Sequence, residues 1–374
     1  MDVFLVSKDQ LGAFIGRLMA GYRLIAPVRR SGELRFDQVT SPQDVVLDYR
    51  NTAKAPKAAL FPQVECMMRF DQKLDHLNEV REVTEDTTPT IILGIRPCDA
   101  RSLLLFDKVF IADKYVDLYY QARRENTLIF ALACDHPRPT CFCHAFGSGP
   151  YDRTGTDVVL RDAGDAYLLE SLSERGAKVL VGLALLPADQ AHLKQAEKVE
   201  AEAQARLSAI EPVDKFCFTL TVGQSKTCPV EGIREILASL FDSKVWAQIA
   251  EKCIACGTCT FVCPGCYCFN IEDRVLAHGG ERVRAWDGCM FPNFTLHASG
   301  HNPRPDQAAR WRQRTMHKFA YLPLNVGLYG CVGCGRCILS CPVRLDIREV
   351  LRQVRAAYAS ESAAKVQASV QESK

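Results

Sequence analysis

The sequence predicts an α+β chain: a mixed α/β domain over residues 1–212, a largely helical, cysteine-rich domain over 213–357 and a disordered tail over 358–374. Three observations lead there. Apolar runs of strand length alternate with helical patterns up to about residue 212. Two cysteine runs of identical spacing stand late in the chain, at 253–264 and 331–342. The final segment is mostly Ala, Ser, Glu, Gln and Lys, a composition poor in large apolar residues.

At 374 residues, 48% apolar and 24% charged, the chain can build an ordinary core and has room for two domains. A net charge of +2 gives no footing for nucleic acid or an acidic membrane surface. The N-terminus MDVFLVSKDQLG lacks the basic, apolar and small-residue regions of a secretory signal. The longest apolar run, Val179 to Pro187, is too short to span a bilayer. A cytoplasmic location without direct membrane insertion is expected.

In the N-terminal domain the expected strands are Leu24 to Val28, Leu34 to Val39, Thr90 to Ile95, Leu128 to Ala133 and Lys178 to Gly182. The runs IILGI and LIFALA lack period-two alternation, which suits central strands covered on both faces. A charged surface helix should follow Pro187, rich in Ala, Glu, Gln and Lys. A second should start near Pro229, with Glu231 and Glu235 at its positive end, and run to about Lys252. A last helix is expected over 347–357.

Eighteen cysteines in a reducing compartment do not form a disulfide framework, and eleven of them fall between Cys253 and Cys341. The runs CIACGTCTFVCP and CVGCGRCILSCP are both C-x2-C-x2-C-x3-C-P, the bacterial ferredoxin spacing. Three thiolates two residues apart wrap one cube on a loop that Gly257, Gly333 and Gly335 let curl. The chain then turns helical, and the fourth cysteine serves the other cube. One [4Fe–4S] cluster is thereby assigned Cys253, Cys256, Cys259 and Cys341, and a second Cys331, Cys334, Cys337 and Cys263. The domain reads as a bacterial-type two-[4Fe–4S] ferredoxin fold with a long insert, Pro264 to Gly330. Zinc prefers paired C-x2-C units separated by longer loops, so two zinc sites fit the pattern poorly. Cys259, Cys263 and Cys266 also give C-x3-C-x2-C, the radical-SAM spacing, but inside a ferredoxin run. CFCH at 141–144 is not the C-x2-C-H of covalent haem.

Other cysteines carry weaker signals. IRPCDA and LACDH set Cys98 and Cys134 just past strand ends, where open α/β sheets bind ligands. With Cys141 and Cys143 they form a candidate third iron–sulfur or metal site; the plainer reading is small buried apolar groups near a turn. Gly147-Ser148-Gly149-Pro150 is a turn that could cradle an anion or a flavin phosphate. Cys266, Cys268 and Cys289 read as packing near the clusters, and Cys66, Cys217 and Cys228 as structural. His297 and His301 stand four apart, but Gly300 and the Asn302-Pro303 that follows point to a helix end rather than a metal pair. Arg310, Arg312, Arg314, His317 and Lys318 make a basic stretch with two equal readings: a solvated helical face, or positive charge that offsets a cluster or docks a partner.

No G-x-G-x-x-G follows a strand, and no P-loop, H-E-x-x-H or G-x-S-x-G is present. No catalytic residue is assigned. Such a chain must receive and deliver electrons through partners.

Several segments together resemble one family: CGTCTFVCPGCYCFNIEDRV at 256–275, WDGCMFPNFTLHASGHNPRP at 286–305, HKFAY at 317–321 and CVGCGRCILSCPVRLDI at 331–347. FPQVECMMRF at 61–70, IRPCDA at 95–100 and the Cys-x-Cys segment before GSGP match as well. The family is that of the β subunit of cytoplasmic sulfhydrogenases (NAD(P)-linked [NiFe] hydrogenases) and of the A-type subunit of anaerobic sulfite reductase. The resemblance implies a non-catalytic iron–sulfur subunit of a multi-subunit oxidoreductase. It would relay electrons between a flavin- and NAD(P)-binding reductase subunit on one side and a terminal catalytic subunit on the other, of hydrogenase, sulfite reductase or heterodisulfide-reductase-like type. The alternative is a redox enzyme with an additional metal or flavin site at the N-terminal cysteines.

Overall fold

The computed structural model describes residues 3–71, 79–210, 232–277 and 279–372. They fall into two compact units that interleave along the chain. The first comprises Met1–Arg138, Gly149–Leu207 and Tyr267–Asp287; the second comprises Pro139–Ser148, Ser208–Cys266 and Gly288–Lys374. Cys217, Cys228 and the expected helix start at Pro229 lie outside the described residues. No described helix is long and apolar enough to cross a membrane.

The first unit holds twelve described strands: β1 (Val3–Ser7), β2 (Arg23–Arg30), β3 (Glu33–Gln38), β4 (Val64–Asp71), β5 (Glu79–Glu82), β6 (Thr90–Ile95), β7 (Thr127–Leu132), β8 (Val158–Asp162), β9 (Ala166–Ser171), β10 (Leu186–Pro187), β11 (Phe269–Leu276) and β12 (Gly279–Trp286). Its helices are α1 (Leu11–Gly21), α2 (Pro97–Phe110), α3 (Leu118–Glu125), α4 (Glu174–Gly182) and α5 (Gln190–Ile210), the last being the charged helix expected after Pro187. Eight strands form a sheet in the order β10-β1-β9-β8-β7-β6-β2-β3, with β2, β6, β7 and β8 parallel.

β6 and β7 are the expected central strands, buried at every residue. Their lack of apolar alternation hides a strict division of labour. Ile91, Leu93, Leu128 and Phe130 pack with Phe14, Ile15 and Leu18 of α1 on one face. Ile92, Ile129 and Ala131 pack with Leu103, Phe106 and Phe110 of α2 on the other. Successive side chains of a strand point to opposite faces, so two cores demand apolar residues at every position. Each such side chain contributes about 1.5–3 kcal/mol on burial.

Two expected elements come out differently. Residues 178–182 belong to α4 rather than to a strand: the Ser173 side chain caps the helix by accepting from the Gly176 N–H at 3.0 Å, and only Gly176 and Leu180 of the helix are buried. The helix expected to run to Lys252 is divided into α6 (Ile233–Ser239) and α7 (Val245–Ala250). Ser243 Oγ accepts from the Val245 N–H at 3.2 Å and Trp246 Nε1 donates to the Leu240 carbonyl at 2.7 Å, so local side-chain bonds compete with helix continuation.

The second sheet of this unit has the order β11-β12-β4-β5 and is antiparallel. The hairpin β11–β12 comes from between the two cysteine runs, a stretch expected in the C-terminal domain. It adds to β4 with Arg284 opposite Glu65 and Val283 opposite Cys66. Arg284 is 1% exposed and pairs with both Glu65 and Asp117, while Glu65 also receives Arg123. The Arg284 guanidinium lies 4.9 Å from the Phe61 ring centre and 5.5 Å from that of Phe269.

The second unit is helical: α6 and α7 are joined by α8 (Thr258–Phe261), α9 (Gln307–Met316), α10 (Leu322–Val326), α11 (Arg336–Leu339) and α12 (Ile347–Glu372). Its core is built from Ile236, Leu237, Trp246, Ile249, Met290, Trp311, Phe319 and Leu351, with Cys253, Cys259, Cys331 and Cys337 packed against it. The helix expected to end near Ala357 continues to Glu372, through the segment whose composition suggested disorder. Ala, Glu, Gln and Lys are good helix formers, which a reading based on apolar content undervalues.

Removing one member of a buried ion-pair network leaves the others uncompensated. Arg284→Ala is therefore expected to lower unfolding stability by about 3–5 kcal/mol, read as a shift in the urea midpoint. Arg282→Ala, whose exposed partner is Asp273, should leave that midpoint in place.

Candidate metal centre

The two cysteine runs fold alike. Cys253 ends the turn after α7, its N–H donating to the Ala250 carbonyl at 2.9 Å. The backbone then visits the left-handed region at Ala255 (φ 57°) and Gly257 (φ 70°), and α8 carries Cys259 in its first turn. In the second run Gly333 (φ 65°) and Gly335 (φ 72°) take the same places, and α11 carries Cys337. Ala255 is not conspicuous in the sequence. Its one signal is alignment with Gly333 in the repeat, and its conformation costs about 1–2 kcal/mol for a residue with a β-carbon.

The second loop is also sterically committed. Phe142 donates its N–H to the Gly333 carbonyl at 2.8 Å, and Cys141 Sγ lies 3.8 Å from the Cys334 carbonyl oxygen. A β-carbon on Gly335 would clash with the Thr140 carbonyl oxygen. The Cys-x-Cys segment therefore packs on the second cysteine loop.

One cavity of this unit is lined by Cys253, Cys256, Cys259, Cys337 and Cys341, with Ile254, Met290, Trp311, Arg314 and Ile347. Three cysteines of the first run and the last of the second thus share one hollow, which Cys337 also borders. Three of these sulfurs meet neutral groups: Gln307 Nε2 lies 3.1 Å from Cys253 Sγ, the Leu345 N–H donates to Cys341 Sγ at 3.2 Å, and Cys256 Sγ is hydrogen-bonded to Thr258 Oγ1 at 3.4 Å. Cys263 stands elsewhere, 3.3 Å from Lys318 Nζ and hydrogen-bonded to Cys266. Lys318 Nζ also donates to the carbonyl of Gly330, the residue before Cys331, at 2.5 Å.

The basic stretch is not a solvated face. Arg314 is 2% and Lys318 4% exposed, and Arg310 is buried as well. Arg314 donates to the Cys259 carbonyl at 3.0 Å and lies 3.9 Å from Cys266 Sγ. Arg312 serves the surface, over the Phe241 ring and 3.8 Å from Asp242. Burial pushes the thiols of Cys259 and Cys331 up to about 11, and that of Cys337 higher still, with Arg314 or Lys318 opposing. The Thr258 hydroxyl and N–H lower exposed Cys256. Burial, helped by Lys318, lowers His317 to about 4, so its imidazole is neutral near pH 7.

Among the described residues neither Arg314 nor Lys318 pairs with a carboxylate. Burying an unpaired cation costs several kcal/mol, so a negative group is called for beside them. Thiolates around an iron–sulfur cluster are such a group, and soft sulfur donors suit it. The residues present fit.

Cys98 opens α2 and Cys134 follows β7, both in the first unit, whereas Cys141 and Cys143 belong to the second. No three His, Cys, Asp or Glu side chains among the described residues converge on a single-ion site. Gly147 closes a short turn over Cys143–Phe146. Cys66 lies in β4, and the carbonyl of Cys268 accepts from the Asp287 N–H at 3.0 Å. His297 and His301 end no helix; they are exposed, joined by a backbone bond of 2.9 Å across a turn in which Gly300 has φ 82°.

The sequence pattern of the family described as the 4Fe-4S dicluster domain matches residues 252–345. Fold and site together define an iron–sulfur protein of dicluster type, in kind an electron-transfer subunit. Over 348 residues the chain is 32% identical to sulfhydrogenase 2 subunit beta of Pyrococcus furiosus, an alignment that spans 91% of this chain and 95% of that protein. The chain belongs to the sulfhydrogenase β-subunit family. No solved structure matches it.

Gly335→Ala combines a left-handed backbone with a clash against main chain. It is expected to cut the iron retained by the purified protein several-fold, whereas Ala255→Gly, which relieves strain, should retain it in full. Iron per polypeptide by elemental analysis checks both.

Proposed function

We propose that this chain relays electrons through two [4Fe–4S] clusters in the cytoplasm, without substrate chemistry of its own. The relay runs between a flavin- and NAD(P)-binding subunit on one side and a terminal catalytic subunit on the other. Cys253, Cys256, Cys259 and Cys341 hold the first cluster; Cys331, Cys334, Cys337 and Cys263 hold the second. The observation that carries this reading is the cavity that gathers the first three cysteines of one run with the last cysteine of the other. Crossed ligation of that kind belongs to two-cluster ferredoxins, and the second unit is then a ferredoxin-type fold enlarged by its insert.

Bound in these sites, the clusters supply one-electron chemistry. The chain's residues hold them, keep water away and balance their charge. Trp311, Met290 and Ile347 line the first site with apolar surface. Arg314 and Lys318 bring positive charge to thiolates that burial would otherwise keep protonated. The Pyrococcus furiosus relative is named as one subunit of a larger protein, which supports partner subunits here. A third centre at Cys98, Cys134, Cys141 and Cys143 has no comparable support.

Anaerobically purified protein is expected to contain about eight iron and about eight acid-labile sulfide per chain, and the native complex to carry a flavoprotein subunit identifiable by mass spectrometry. Zinc in place of iron and sulfide, or full substrate turnover by the isolated chain, would contradict the reading.

A further inference from the structure

We propose that Lys318 selectively raises the reduction potential of the second cluster, the one held by Cys331, Cys334, Cys337 and Cys263, and so sets the potential step between the two. The proposal rests on the two-cluster reading given above.

Lys318 lies in a π-helical turn, His317–Tyr321, that joins α9 to α10. Such turns are uncommon and recur at functional sites, because the extra residue re-aims the side chains around it. Here the side chain is aimed between the two cysteine runs. Its Nζ is 3.3 Å from Cys263 Sγ and 2.5 Å from the Gly330 carbonyl oxygen. Both contacts belong to the second set, since Gly330 leads directly into Cys331. The approach depends on a glycine. A β-carbon at position 330 would come within 3.1 Å of the Lys318 Cα and 2.6 Å of a Leu322 methyl.

Among the described residues no cation is hydrogen-bonded to a sulfur of the first set. Gln307, Thr258 and the Leu345 N–H, the hydrogen-bond partners of the Cys253, Cys256 and Cys341 sulfurs, are all neutral. Arg314, buried like Arg310 and Arg336, donates to the Cys259 carbonyl and reaches toward Cys266, which is hydrogen-bonded to Cys263. Its charge falls first on Cys259 of the first set and less on Cys337 of the second, so it is not the group that favours the second cluster. Lys318 is thus the ammonium that hydrogen-bonds directly to a sulfur of the second set. Because Lys318 is buried, neither water nor salt screens it as they would a surface lysine.

Its effect has a definite sign. A cluster with four thiolates is already negative, and one-electron reduction makes it more so. A fixed positive charge stabilises the reduced form more than the oxidised form, which raises the potential. In the step read below the electron comes from a dithionite-class reductant. No bond to the protein forms or breaks, and Lys318 keeps its proton.

Redox titration of the anaerobically purified complex, followed by EPR, tests the proposal. The second cluster is identified as the one whose signal changes in Cys334→Ser. In Lys318→Met the midpoint of that cluster is expected to shift downward while the other stays in place. Lys318→Gln, which keeps a donor for the Gly330 carbonyl without the charge, should behave as the methionine variant does. Lys318→Arg, which keeps the charge, should stay near the parent value. Two loaded clusters with unmoved midpoints in the neutral variants would overturn the proposal, as would an equal fall of both. Loss of the clusters from both neutral variants would overturn it too, since Lys318 would then hold the site together rather than set its potential. A parent complex without iron and sulfide would refute the two-cluster reading itself, an outcome distinct from all of these.

Discussion

Lys318 Nζ touches the fourth cysteine of the first run and the carbonyl that leads into the second, and the charge it buries there is the constraint to which the cysteines around it answer. The two runs are far apart in sequence, and part of the chain between them is spent on strands β11 and β12 of the first unit. Closing so long a loop costs entropy that grows with its length. The opposing contributions are the apolar core around Trp246, Trp311, Phe319 and Leu351 and the charged contacts of Lys318 and Arg314. The cavity shared by cysteines of both runs is walled by Met290 and Trp311 of that core.

The same contacts solve an electrostatic problem. Thiols buried against an apolar core resist ionisation, yet only thiolates bind iron. Arginine and lysine buried without carboxylates resist their own charge. Each set is costly alone and each offsets the other, so a cluster between them is the species that makes the neighbourhood balanced. In the first unit a comparable cost is met differently: buried Arg284 finds Glu65 and Asp117, and the network there is structural.

Much of this was legible in the sequence. The spacing of the two runs is local chemistry, written in eight positions and repeated. β6 and β7 were legible because unbroken apolar runs have few other uses in an α/β domain. What was not legible is what depends on tertiary partners. Residues 178–182 have strand-like composition, but the cap at Ser173 makes them a helix. Residues 269–286 give no hint from within that they complete a sheet begun at Val64. The basic stretch after Asp306 was visible as charge, whereas its burial was not, because alternation of Arg with Trp311, Met316 and Phe319 fits a surface helix as well as a buried one. Ala255 escapes notice because left-handed turns are looked for at glycine, and only the overlay of the two runs exposes it.

The central claim is that each cluster draws its ligands from both runs. Diffraction from anaerobic crystals, with anomalous data at the iron edge, tests it most directly. The account predicts two iron clusters, one bonded to Cys253, Cys256, Cys259 and Cys341 and the other to Cys331, Cys334, Cys337 and Cys263. Clusters each bonded to the four cysteines of a single run would contradict it.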